Sequence, residues 1–135
     1  MKASLVFSIA NTFVLIGWIL LLFAPKWERT QQIVLYGVVL LLSLTYAFLI
    51  APTLVNFSPD TFSTLENVMA LFTQEQAVAA GWVHYLAFDL FVGAYIVREG
   101  ISLQIPRWQY SLCLPFTFMF GPIGLLFFLL FKAIK

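Results

Sequence analysis

Long apolar runs alternate with short polar breaks along this chain. From about Ser4 to Phe23 no charged residue occurs, matching the ~20 residues needed to cross a hydrocarbon core of ~30 Å. The run exceeds the ~7–15 apolar residues of a secretory signal and lacks a cleavage site after it, so it reads as a retained helix. Ala24-Pro25-Lys26-Trp27-Glu28-Arg29 then forms an interfacial turn with Trp27 as anchor. A second span, about Gln32 to Ala51, is closed by Pro52 and pairs antiparallel with the first; Gly17 and Gly37 sit where small residues let backbones approach. A third span runs from about Ala77 to Val97 and a fourth from about Tyr110 to Phe131. Pro115 and the Gly121-Pro122-Ile123-Gly124 stretch predict a kink or local unwinding in the fourth, because proline deletes an i→i−4 hydrogen bond and crowds the preceding turn. Carbonyls freed in a membrane need protein, water or ligand partners.

Residues 53–76 break the pattern. Ser63 followed by Glu66 fits a capping box, and Leu65, Val68, Met69 and Phe72 give a short helix one apolar face. Too short to span, it is expected in the interface or docked on the bundle. The expected fold is therefore all-α: one domain, residues 1–135, forming an integral membrane bundle of four transmembrane helices (about 4–23, 32–51, 77–97 and 110–131) with a short amphipathic helix between the second and third. Four spans place both ends on one side. Lys26, Arg29, Arg98 and Arg107 then oppose Lys2, Lys132 and Lys135, a balance that leaves orientation open.

Composition strengthens the membrane reading. Of 135 residues 62% are hydrophobic and 10% charged, against about half and a quarter in soluble domains; so small a soluble fold could not hide that apolar surface. A net charge of +1 without a basic patch argues against nucleic acid as partner. One cysteine, Cys113, and one histidine, His84, exclude an intrachain disulfide and multi-Cys or multi-His metal sites. With no phosphate loop or nucleophile elbow either, neither metal nor cofactor is expected.

Candidate chemistry concentrates in the third span. Asp89 near its middle costs about 2.5–3.5 kcal/mol on insertion scales, so it should face the interior with a partner or a proton. It reads equally as a proton-transferring group or as a hydrogen-bonded strut. His84, five residues earlier, is turned about 140° and raised about 7.5 Å, so contact with Asp89 is not implied; Tyr85 is the better neighbour. Trp82, Tyr85, Asp89, Val92 and Ile96 form a stripe suited to the interior, and Trp82, Tyr85 and Phe88 offer flat walls for a long apolar ligand or for ordinary packing. Glu66 and Asn67 are a second polar pair, with capping the simpler role for Glu66.

The string Trp82-Val83-His84-Tyr85-Leu86-Ala87-Phe88-Asp89-Leu90-Phe91-Val92-Gly93 resembles the neoxanthin-synthase-like membrane proteins of plants and cyanobacteria, the abscisic-acid-deficient type. Glu66 with Leu71-Phe72, Pro115 with Thr117, and Gly121-Pro122-Ile123-Gly124-Leu125-Leu126 extend the resemblance over most of the chain. It implies a thylakoid or bacterial inner membrane and a role in carotenoid metabolism, where an epoxide opens to an alcohol as a proton leaves a neighbouring polyene carbon. That reaction requires an acid, a base and an apolar slot. Asp89, His84 and then Glu66 are the acid/base candidates; Trp82, Tyr85, Phe88, Gly93 and Pro122 are the candidate contacts for a carotenoid or other long apolar ligand. The competing class is a non-enzymatic pigment- or lipid-binding protein, or an assembly subunit working with a membrane-protein partner or a second copy.

Overall fold

The computed structural model describes residues 2–135, all of whose regular elements are helical. They are α1 (Ala3–Phe23), α2 (Thr30–Val55), α3 (Leu65–Leu71), α4 (Glu75–Ser102), α5 (Arg107–Phe120) and α6 (Pro122–Ala133), with a 3₁₀ turn at Pro59–Phe62. Among the described residues α1, α2 and α4 are long and apolar enough to cross a membrane. Much of the outer surface is apolar (Phe23, Tyr36, Phe48 and Ile134 among the most exposed), as a bundle solvated by lipid requires.

Direction follows from the contacts. Gly17 of α1 lies against Leu90 of α4, Trp18 covers Gly93, and Asn11 bonds Trp82, so α1 and α4 run parallel. Gln31 reaches the Ala94 carbonyl while Gln76 reaches that of Leu49, so α2 is antiparallel to both. Gly17 supplies the close approach expected of it, whereas a Cβ on Gly37 would meet only Ile33 of its own helix. Around Gly37 the helix widens to π geometry over Ile33–Val39. It then passes through Pro52 to Val55, beyond the expected end. This proline lies in the last turn, where it removes little more than the bond to the Phe48 carbonyl.

The segment expected as a fourth span is divided. α5 continues through Pro115 but stops at Gly121, and Pro122 opens α6. Gly121 has φ +29°, a conformation open to glycine, and the chain reverses there. Phe116 meets Phe127 at a ring separation of 5.1 Å, and Trp108 meets Phe131 at 6.3 Å. Residues so far apart in sequence could not meet along one helix, so α5 and α6 form an antiparallel hairpin. Gly124 lets the arms close: a Cβ there would collide with Thr117 and the Cys113 carbonyl. With 14 and 12 residues the arms are about 21 and 18 Å long, each shorter than a ~30 Å hydrocarbon core.

The hairpin lies along the second half of α4. Tyr110 packs on Gly100, Gly121 touches Asp89, and Lys132 bridges Glu99 at 2.9 Å. Lys132 and the 103–106 connection therefore share one end of the bundle. The loop after α1 is at that end too, where Arg107 donates to the Leu22 carbonyl at 3.1 Å and buried Thr30 donates to that of Ala24 at 2.6 Å.

Candidate functional site

A cavity of about 530 Å³ lies between the end of α2, the 56–74 connection and the first half of α4. Tyr46, Leu49, Ile50, Thr53 and Leu54 form one wall; Ala77, Ala80, Gly81 and His84 form the other. Phe57, Phe62, Leu71 and Phe72 roof it. Gly81 makes the cover close, since a Cβ there would stand 2.8 Å from the Phe72 ring. Leu54, Phe57, Phe62, Phe72 and His84 are all exposed, so the cavity opens sideways on the apolar outer surface. His84 is the titratable imidazole in its lining, its ring 5.3 Å from Tyr46 and 4.7 Å from Phe88. Volume and lining match small-molecule sites, which run to about 300–1,000 Å³ and are mainly apolar with a few polar groups.

Asp89 is placed elsewhere. It is buried at the middle of α4, with Oδ1 against Gly121, and Oδ2 has no hydrogen-bond partner in the protein. The carboxyl faces the N-terminus of α6, where backbone N–H groups lack intrahelical acceptors and the helix dipole favours negative charge. Beside it, the Tyr85 hydroxyl donates toward the carbonyls of Phe118 and Met119, at 3.2 and 3.0 Å. These belong to the last turn of α5, so Tyr85 satisfies acceptors that the break at Gly121 leaves free. The pair thus holds both sides of the hairpin tip.

The remaining predicted residues do not converge. Trp82 donates through Nε1 to Asn11 Oδ1 at 2.9 Å and lies beside Phe7 and Tyr85. Phe88 is exposed next to His84, Gly93 is covered by Trp18, and Pro122 is exposed at the hairpin tip. Of the stripe drawn through α4, Asp89 and Ile96 are buried, Tyr85 and Val92 half-buried and Trp82 exposed. Glu66 is exposed on α3 and outside the cavity lining. The α3 cap is Thr64, whose hydroxyl accepts from the Asn67 N–H at 3.2 Å, while Ser63 donates to the Asp60 carbonyl. The cap thus falls one residue after the expected Ser63, and Glu66 becomes a first-turn acid rather than a capping-box partner.

Sequence reasoning missed Tyr46, Phe57, Phe62 and Gly81 as parts of one site. A usable signal was the pair of phenylalanines, Phe57 and Phe62, in a short polar connection, where a solvated loop has no need of aromatics.

Fold and cavity together define an all-helical bundle with an apolar exterior suited to lipid, a short-armed helical hairpin and an apolar side cavity lined by one imidazole. The chain belongs to the ABA DEFICIENT 4-like family, whose model matches residues 5–128. It is 31% identical over 144 aligned positions to Protein ABA DEFICIENT 4, chloroplastic, of Arabidopsis thaliana, an alignment covering 98% of this chain and 62% of that protein. The chain thus spans about three-fifths of its plant relative's length. No solved structure matches it.

Proposed function

We propose that the protein receives one end of a carotenoid in the His84 cavity and takes part in xanthophyll isomerisation, the epoxide-to-allene conversion, in a photosynthetic or bacterial inner membrane. The observation that carries this reading is the cavity itself: apolar and aromatic walls, a lateral opening toward lipid, and His84 among the few polar groups that line it. A carotenoid ring fits such walls while its polyene extends into hydrocarbon. Family membership supports the same direction.

The conversion is neutral in electrons. A proton leaves a polyene carbon, its bonding pair becomes the new double bond, the adjacent epoxide C–O bond breaks, and the oxygen gains a proton. Neutral imidazole carries one donor and one acceptor nitrogen, so His84 can serve as base and as acid in succession. Asp89 then acts from outside the cavity as a positioning residue for the hairpin, and Glu66 has no chemical part. The second reading, a non-enzymatic pigment- or lipid-binding protein or assembly subunit, is favoured by one specific feature: Asp89 does not line the cavity beside His84.

The test is conversion of an epoxy-xanthophyll in a carotenoid-producing host, comparing wild type, His84→Gln and Asp89→Asn at matched protein levels. Loss of product in His84→Gln with pigment still bound is the expected result. Undiminished conversion by that variant removes His84 from the chemistry, and bound but unaltered pigment in wild type selects the second reading.

A further inference from the structure

We propose that the end of the bundle bearing Lys26, Arg29, Arg98, Arg107, Lys132 and Lys135 faces the cytoplasm or its organellar equivalent, so that the His84 cavity opens in the opposite half of the bilayer. The hairpin carries the argument. A continuous fourth span would send Lys132 and Lys135 to the far side, leaving the basic residues almost evenly divided. Reversal at Gly121 brings Lys132 back to Glu99 near the end of α4. Six of the chain's seven Lys and Arg then stand at one end.

The other end retains Lys2 together with Asp60, Glu66 and Glu75. Basic residues in short loops and beside span ends set orientation, whereas acidic ones contribute little. A six-to-one division is decisive where four-to-three was not. Anionic lipid at the cytoplasmic surface favours the same placement, at about 1 kcal/mol per basic residue near it.

The cavity belongs to the acidic end. Its roof is the 56–74 connection, and its α4 residues lie in the half of that helix before Asp89. Three crossings and a half-depth hairpin therefore put Asp60 and Lys135 on opposite sides. The orientation is independent of any ligand; only the corollary that a carotenoid end group is received in the non-cytoplasmic half rests on the proposed function.

Single cysteines at Glu28, Asp60 and Lys135, all exposed, test this in the full chain expressed in a bacterial inner membrane. Cys113 is replaced by alanine, or retained in a parallel set because it is fully buried. A membrane-impermeant maleimide is applied to intact spheroplasts and to inverted vesicles. Asp60→Cys is expected to label at least tenfold more in spheroplasts, and Glu28→Cys and Lys135→Cys tenfold more in inverted vesicles. A protease site appended after Lys135 should be cut only in inverted vesicles, a readout that leaves the bundle unaltered. Labelling of Lys135→Cys with Asp60→Cys would restore four crossings, while full reversal or equal labelling from both sides would overturn the assigned orientation. Pigment binding enters none of these readouts, so failure here and failure of the carotenoid reading are distinguishable.

Discussion

Replacing Gly121 by alanine would place a methyl group against Asp89 Oδ1 in a backbone conformation, φ +29°, that suits glycine. The conformational part, for a sparsely populated backbone region, costs about 1–3 kcal/mol, and forcing a methyl into a filled site adds about 1–3 kcal/mol. Gly121→Ala should therefore lower stability by about 2–6 kcal/mol. Asp89→Ala on its own removes the carboxyl group beside Gly121 at the start of α6, where any negative charge it carries would be stabilised by up to about 2 kcal/mol. With that carboxylate gone the methyl has room, and alanine at 121 then costs only the conformational part. The two substitutions should accordingly couple by about 1–3 kcal/mol. Reversible unfolding in mixed micelles, followed by tryptophan fluorescence on wild type, both single variants and the double variant, measures this. Additivity within about 0.5 kcal/mol would refute the contact between hairpin tip and carboxylate.

Other expectations concern the remainder of the bundle. Thr30→Val should cost about 0.5–1.5 kcal/mol by removing the buried Thr30 hydroxyl's bond of 2.6 Å to the Ala24 carbonyl, which keeps the Trp27 N–H as its other donor, measured in the same unfolding assay. Gly124→Ala should separate the hairpin arms, since a Cβ there would collide with Thr117 and the Cys113 carbonyl, and lower stability in the same assay by about 1–3 kcal/mol; undiminished stability would contradict the close approach. Cys113, fully buried with its thiol donating to the Gln109 carbonyl, should resist maleimide in mild detergent and react once SDS unfolds the bundle. Rapid labelling of the native protein would mean that the α4–α5 packing is open.

The three long apolar helices were legible because each is apolar on nearly every face, and an apolar run of sufficient length is enough to identify one. That same logic misread the fourth run. Its apolar length accommodates either one span or a hairpin folded at its middle, and hydropathy does not distinguish them. The deciding feature was present as Gly121-Pro122, a turn signal whose strength depends on the positive φ that only the fold reveals. Charge sidedness was lost with it, since the side of Lys132 and Lys135 depends on that reversal. Asp89 and His84 both stood out in the sequence as polar residues within an apolar run, and their separation on α4 foretold that they need not meet. The cavity around His84 was not legible, because Tyr46, Phe57, Phe62, Phe72 and Gly81 come from separate segments with no shared periodicity. The α3 cap was missed by one position because Ser63 and Thr64 are adjacent residues of equal capping ability.

The central claim is that the His84 cavity, and not the Trp82 face of α4, receives the carotenoid. Pigment retained through detergent purification from a xanthophyll-producing host tests it most directly, using Gly81→Leu to fill the cavity and Trp82→Leu to alter the other face. The account predicts carotenoid bound to wild type and to Trp82→Leu, with at least a tenfold loss in Gly81→Leu at equal yield of folded protein. Retention by Gly81→Leu together with loss in Trp82→Leu would contradict it and move the ligand to the face that the sequence alone suggested.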